Sequence, residues 1–554
     1  MSVPHRVTFQ PRETVDFVVV GSGAAGGVVA RELSRAGFTV VVLEQGARFG
    51  RPDFHHDEIE VMVNHKLSVN QKTKPVTHRK TPADTAKPRP YLVYGVAVGG
   101  GTVHFTANYW RFRPIDFREF STHGAVSGAD MDDWPITYEE LEPYYAKVEW
   151  DIGVSGQAGV NPKDPPRSRP FPLPPLPVNS AGVLMQVGGK KLGWSVQPAP
   201  MAIPSRPYQG REGCHQCGWC YSFGCEWGAK SSTLFTMIPQ AEATGRCEVR
   251  PLAYVRKVET NDRGRVTGVT YFDSTRREVF QKARAVVLCA NGAETPRLLL
   301  MSASNRFPNG LANSSGYVGK RLMFNGGANV IAEFEHPLNG YKGAPVTMIS
   351  HEHYELDPSL GIAGGGGIDF RFAVSPIEFA NMPVPGHASW GRQYWSELKQ
   401  RFTRTVAGFG HSSSLPVLDN GISLDDTVKD AWGLPAIRVT YRDHENDIRL
   451  EKYMGDRTKE MLDAAGAKSS VLLPISDDPG AGFHLLGTCR MGTDARRSVV
   501  NAGHQAHDVP NLFIVDGSSF VTSGRGQPTM TIQALAFRAA DKIAEVAKRG
   551  ELGT

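Results

Sequence analysis

Four thiols stand close together in this chain, and their spacing is its sharpest chemical signal. Cys214, Cys217, Cys220 and Cys225 follow the pattern C-x2-C-x2-C-x4-C, while Cys247, Cys289 and Cys489 are scattered. A disulfide framework would distribute its cysteines in pairs over a small chain. This distribution describes one local thiolate site and three isolated thiols. Three thiolates so evenly spaced can wrap an iron–sulfur cluster, with a fourth ligand nearby, and four permit either a 3Fe–4S or a 4Fe–4S cluster. The run has one residue more than the ferredoxin spacing and no proline after it. Zinc is the competing metal, although its sites more often come as two separated pairs. A cluster of thiols without metal is the third reading. Trp219, Tyr221, Phe223 and Trp227 interleave the run and suit shielding from water, a partner surface or ordinary packing alike.

A second constellation lies near the start. Gly21-Ser22-Gly23-Ala24-Ala25-Gly26 matches G-x-G-x-x-G between the apolar stretch DFVVV and a helical pattern ended by Gly37. In that context Gly21 permits a tight turn, Gly23 lets backbone approach a pyrophosphate, and Gly26 lets helix and strand pack closely. The helix N-terminus would face the phosphates with its positive end. Glu44 closes the next apolar run, FTVVVL, where a carboxylate accepts hydrogen bonds from ribose hydroxyls.

These residues need elements to hold them. Residues 16–20 and 38–43 read as buried strands around a helix, a β-α-β unit. AVVLCA at 285–290 and LFIVD at 512–516 read as further buried strands, followed by helices at 295–303 and 529–547. Residues 64–90 are polar and basic, with Lys66, Lys72, Lys74, Arg79, Lys80, Lys87 and Arg89, and read as a solvated loop or as a lid or docking surface. Residues 161–177 are a proline-rich connector. Alternating patterns such as IRVTY place a mainly antiparallel sheet within 326–477.

The totals set limits. A chain of 554 residues exceeds one hydrophobic core, so two domains are expected. Sixty-one Lys and Arg against 56 Asp and Glu give a formal charge of +5, too dilute for a nucleic-acid surface. No apolar run is long enough to span a membrane. The opening MSVPHRVTFQPRETVDF lacks the apolar region of a secretory signal, so a cytoplasmic location, or export alongside a signal-bearing subunit, is expected.

Four segments in order, VVVGSGAAGG, YGVAVGGGTVHFTANYWRF, ANGAETPRLLL, and HLLGTCRMG followed by NLFIVDGSSFVTSGRGQPTMTIQALA, resemble the glucose-methanol-choline (GMC) oxidoreductases. The resemblance implies an α/β fold: a Rossmann-like FAD-binding domain, here 12–325 with 478–548, carrying a cysteine-rich insertion at about 205–230. It also implies an α+β substrate domain with a mainly antiparallel sheet, here 326–477. The cofactor contacts expected are Gly21, Gly23, Ala24, Ala25, Gly26, Glu44, Gly99, Gly100, Thr102, His104, Val255, Asp516 and Gly517.

The implied reaction is oxidation of an alcohol with hydride transfer to flavin N5. Losing a hydride and a proton from a carbinol requires a base, and imidazole is suited to that near neutrality. His484 matches the family's catalytic histidine. The second polar position, His or Asn in the family, is Gln527 here. An amide cannot act as a base at neutral pH, so Gln527 is expected to orient substrate, with Arg525 beside it. His104 stands where some members attach FAD through its 8α carbon.

Similar cysteine runs occur in iron–sulfur-containing sugar dehydrogenase flavoproteins such as gluconate 2-dehydrogenase. That likeness implies a dehydrogenase of a sugar or related polyol, relaying electrons through the cluster to a cytochrome c-type acceptor, with a possible small subunit. An oxidase making H2O2 from O2 is the alternative. Trp390, Trp395 and Trp432 could stack on sugar rings.

Overall fold

DFVVV and FTVVVL carry apolar residues at consecutive positions, a pattern suited to strands buried on both faces. The computed structural model describes residues 7–372, 375–382, 384 and 386–552. The first six residues of the segment read for a secretory signal lie outside them. The two apolar runs form the strands Val15–Val20 and Val40–Leu43, paired in parallel from Phe17–Val40 to Val20–Leu43. The helix Ala24–Arg35 makes the crossover. Glu278–Leu288 pairs in parallel with Val15–Val20 on one side and with Leu512–Ile514 on the other, and Cys247–Arg250 pairs with Val40–Leu43. The first half of Glu278–Leu288 runs on to pair antiparallel with Val266–Phe272, which in turn pairs with Tyr254–Thr260. One long strand thus serves both arrangements of a seven-stranded sheet. Ala24–Arg35 packs on the helix Thr529–Lys548, and their buried sides join the sheet in one apolar core.

A second, six-stranded antiparallel sheet runs in the order Ser469–Leu472, Gly326–Glu333, Thr405–Ser412, Ile368–Phe372, Met348–Ser350 and Gln197–Pro198. Its strands obey the period of two. In IDFRF, Ile368 and Phe370 join Val406, Leu450, Met454 and Leu462 in a core with the helix Glu445–Ala464, which leaves Asp369 and Arg371 on the opposite face. In TVAGFGHS, Gly408 and Gly410 lie under that helix. A Cβ at Gly410 would stand 2.7 Å from Thr458 Oγ1 and 2.8 Å from the Met454 carbonyl. Phe409 and His411 then face away from the helix, with Asp369 and Arg371.

The segment at 64–90 departs from its reading as a solvated loop. Val76–Arg79 is a strand, parallel to Pro435–Thr440 and edged by Lys87–Pro88, in a four-stranded sheet completed by Gly421–Lys429. Val76, Thr77 and His78 are buried. Thr77 Oγ1 donates to Asp425 at 2.7 Å, and Lys74 is buried 3.1 Å from Glu294. Lys74 and Arg89 meet carboxylates from distant parts of the chain, Glu294 and Asp478, which local composition does not reveal, while Lys72, Lys80 and Lys87 are exposed as a solvated loop would have them. No helix among the described residues is long and apolar enough to cross a membrane.

Replacing Gly410 with Val should cost about 1–3 kcal/mol by forcing the helix Glu445–Ala464 off its strand. Thermal unfolding should show a melting point lower by about 1–3 degrees; an unchanged one would contradict the close packing.

Candidate active site

Glycine shapes the nucleotide end. Gly21 has φ 94°, and a Cβ there would lie 2.5 Å from the Cys289 carbonyl. A Cβ at Gly26 would lie 1.9 Å from the Gly21 carbonyl, so this residue serves helix–strand packing, as its place in the motif predicts. The turn at Gly99–Val103 drops onto the motif: the Gly99 N–H donates to Ser22 Oγ at 3.0 Å. Gly100 abuts Gly23 so closely that an added Cβ would be 2.8 Å from its Cα. Glu44 is buried and accepts from Ser22 N, Ser22 Oγ and Gly46 N at 3.0, 2.7 and 2.9 Å. Burial pushes its carboxyl above the usual range despite these bonds.

Across the sheet, Asp516 accepts from Asn291 N at 3.0 Å, Thr295 Oγ1 at 2.6 Å and Ser518 N at 2.8 Å. This ties the C-terminal strand to the helix Asn291–Met301. On that helix Glu294 meets Lys74, Arg297 and the Tyr94 hydroxyl. Burial opposes its charge, yet Lys74 and Arg297 hold its carboxyl down to about 2.

Between these ends lies a cavity of about 400 Å³. Gly21, Gly23, Ala24, Ala25, Glu44, Gly100, Thr102, His104, Val255, Asp516, Gly517, His484 and Gln527 all line it. Gly26 and Gly99 stand behind the wall as packing and turn residues. His104 Nε2 is buried without a hydrogen-bond partner, and burial, with Lys230 nearby, pushes its imidazole down to about 4. A cavity floored by crowded glycine backbone, with an unpartnered buried nitrogen in its wall, fits a flat dinucleotide cofactor.

His484 Nδ1 lies 2.9 Å from Asn325 Oδ1. The amide of Asn325 gives its two N–H groups to the carbonyls of Ser523 and Gly524, at 3.1 and 2.8 Å, which fixes its oxygen toward the imidazole. Nδ1 therefore carries the proton and Nε2 keeps its lone pair. Burial, then His411, pushes this imidazole down to about 3, so it is neutral and able to accept a proton.

His411 shares the cavity wall with Arg371 and Phe409. Its Nε2 is 2.7 Å from Asp369 Oδ2, and its Nδ1 is 3.5 Å from the Gln527 amide nitrogen. Sequence reading missed Asn325, His411 and Asp369. The only signal available was the period of two that turns Asp369 and His411 off the helix-packed face.

The cysteine loop borders this cavity, which Tyr221 and Ser222 help to line, and Ser222 N donates to the His104 carbonyl at 3.1 Å. Cys214 Sγ accepts from Gln216 N at 3.4 Å. Burial raises the Cys214 thiol to about 11, and Cys217 and Cys225 add to the rise. Lys230 is buried beside the thiols, its Nζ donating to the carbonyls of Phe105, Cys220 and Phe223 at 2.9, 2.6 and 2.7 Å. As the side chains stand, no group of three or more His, Cys, Asp or Glu among the described residues is disposed to hold a metal. Trp390 and Trp395 are exposed, Trp432 packs on Tyr254 at 4.7 Å, and none of the three lines the cavity.

Family models for the N- and C-terminal parts of GMC oxidoreductases match residues 15–325 and 416–536. The chain belongs to the GMC oxidoreductase family. It is thus an FAD-dependent oxidoreductase of CH–OH groups, of alcohol or sugar type. It is 38% identical to 2-methyl-1,2-propanediol dehydrogenase of Mycolicibacterium austroafricanum, over 96% of this chain and 95% of that one. It is 30% identical to the fructose dehydrogenase large subunit of Gluconobacter japonicus, over 97% and 99%. A solved variant of formate oxidase from Aspergillus oryzae shares the fold, with a TM-score of 0.66 at 15% identity over 98% of this chain and 100% of that chain.

An imidazole held down to about 3 keeps its Nε2 lone pair across the neutral range. Flavin reduction by substrate should therefore show no inflection near 6.5, the ordinary imidazole value, and should fall only on strong acidification. An inflection near 6.5 that vanished in H484Q would contradict the burial of this group.

Proposed function

We propose that this protein is a dehydrogenase that oxidises a hydroxyl of a sugar or related polyol, with His484 as the base. The carrying observation is the tautomer lock at Asn325, which leaves Nε2 of His484 free in the wall of the cofactor cavity. The dinucleotide would be held by Gly21, Gly23, Ala24, Ala25, Glu44, Gly100, Thr102, Val255, Asp516 and Gly517, with Gly26 and Gly99 shaping the turns beneath it and His104 against the flavin. The units would be 12–325 with 478–548 for the cofactor and 326–477 for the substrate. When bound, the flavin takes up the hydride at N5.

The chain's own residues handle the proton. Nε2 of His484 accepts it from the carbinol hydroxyl, and the resulting imidazolium keeps its Nδ1–H on Asn325. Gln527 can donate and accept but not deprotonate, so it orients the substrate. The unpartnered Nε2 of His104 supports a direct flavin contact, covalent at the 8α carbon. Flavin fluorescence that washes out fully after acid denaturation would exclude that bond.

Two observations favour a dehydrogenase. The relative at 38% identity bears a dehydrogenase name, as does one at 30%, where others are named oxidases, and the cysteine loop abuts the cavity through Tyr221 and Ser222. We assign to Cys214, Cys217, Cys220 and Cys225 an iron–sulfur cluster, supported by their spacing, by the Gln216 N–H directed at Cys214 Sγ and by the buried Lys230 Nζ that pins the Cys220 carbonyl. Holding it requires the four thiols to draw closer than they now stand. A cytochrome c-type acceptor would dock at this loop, where Tyr221 and Trp227 are partly exposed.

His484→Ala should slow flavin reduction on the order of 10²- to 10⁴-fold while the bound-flavin absorbance persists; unchanged turnover would refute the base assignment. Anaerobic turnover with a dye should exceed O2 consumption on the same substrate, and equal rates would make the protein an oxidase. Iron and sulfide analysis with EPR of anaerobically purified protein should report a cluster, lost in C220S. Protein containing flavin but no iron would remove the cluster and leave the alcohol chemistry intact.

A further inference from the structure

His411 sits on the strand Thr405–Ser412, beside Ile368–Phe372, with Asp369 opposite Phe409 and Ile368 opposite Gly410. Asp369 and His411 are thus diagonal neighbours on the cavity side of the sheet. Asp369 is fully buried and takes the Arg371 guanidinium through both oxygens, at 2.7 and 2.6 Å, and the Asn108 amide at 3.1 Å. Burial opposes its charge, but Arg371 and then His411 hold it well below the usual carboxylate range. An ionised carboxylate only accepts, so His411 Nε2, 2.7 Å away, must be the donor. Nδ1 then carries the lone pair.

That lone pair is not free to turn away. Trp110 and Phe409 stand edge-on to the ring at 4.9 and 4.5 Å, and the Asp369 bond fixes its other nitrogen. Nδ1 faces Gln527, whose amide nitrogen at 3.5 Å is at the outer limit of a hydrogen bond. The wall that holds His484 therefore presents a second neutral imidazole with an acceptor nitrogen and only a weak partner. One reacting hydroxyl uses one acceptor, and His484 supplies it. A substrate with a single hydroxyl would cover His411 Nδ1 and offer it no donor, which a buried polar atom resists.

We propose that His411 Nδ1 accepts a hydrogen bond from a second hydroxyl on the carbon next to the reacting one, so that the site selects vicinal diols over mono-alcohols. This rests on His484-based alcohol oxidation and adds a specificity-determining residue to it. Asp369 is the positioning residue that fixes the tautomer of His411. No bond is made or broken at His411; the hydride and the proton leave from the carbinol facing His484.

The test is anaerobic stopped-flow bleaching of the bound flavin in the purified holoenzyme. Propane-1,2-diol is compared with propan-1-ol, and trans-cyclohexane-1,2-diol with cyclohexanol. In the unaltered protein the second-order bleaching constant should be at least about tenfold higher for each diol than for its mono-alcohol, because a site built to bond a hydroxyl discriminates against the analogue lacking it. H411F keeps a ring and removes the acceptor; it should lose most of that preference by slowing the diols more than the mono-alcohols. H411N, with an amide oxygen as acceptor, should regain part of it. The flavin spectrum and melting point of each variant separate this loss from misfolding. Mono-alcohols that bleach as fast as diols in the unaltered protein, or an equal slowing of both by H411F, overturn the proposal while leaving alcohol oxidation standing. Failure of both diols to bleach the flavin overturns the proposal, and failure of hexoses and alditols as well overturns the alcohol oxidation it rests on.

Discussion

The cofactor end of the molecule depends on a steric constraint at the ends of two adjacent parallel strands. Where Val15–Val20 ends beside Glu278–Leu288, the Gly21 Cα lies so close to the Cys289 carbonyl that a Cβ would be 2.5 Å away, and the Gly26 Cα packs against Gly21 itself. Only glycine allows both contacts and the φ of 94° between them. Because the motif lies so flat, the turn carrying Gly100 can rest on Gly23. That turn delivers His104 to one wall of the cavity, while Asp516, bonded to Asn291 and Thr295, closes another.

Charge is buried around this cavity in compensated groups. Glu294 is met by Lys74, Arg297 and Tyr94, and Asp369 by Arg371, Asn108 and His411. Such pairs contribute little net stability once desolvation is counted. Their value lies in orientation: each fixes which atoms donate and which keep lone pairs. The two imidazoles show it. An amide oxygen holds Nδ1–H of His484 and frees Nε2, whereas a carboxylate holds Nε2–H of His411 and frees Nδ1.

The cysteine loop is coupled to the same cavity through backbone. Ser222 N bonds the His104 carbonyl, and Lys230 bridges the carbonyls of Phe105, Cys220 and Phe223. Backbone of the loop and backbone of the turn that carries His104 are thus held at fixed distances from each other.

The sequence by itself determined the Gly21–Gly26 turn and its flanking strands, because these depend on short-range patterns, glycines at fixed offsets and consecutive apolar residues in doubly buried strands; the family, and with it the oxidation of CH–OH groups, was legible through the resemblance of four ordered segments. It also marked the cysteine run, since spacing along the chain is a local property. Within residues 64–90 it missed the buried strand at Val76–Arg79 and the burial of Lys74, where partners for Lys74 and Thr77 arrive from Glu294 and Asp425, far along the chain. Only the tertiary structure brought Asn325 to His484 and set Asp369 behind His411. The protonation pattern of the two imidazoles follows from which partners the sheet register and the packed loops place at bonding distance, and spacing along one strand contains no record of what stands opposite it.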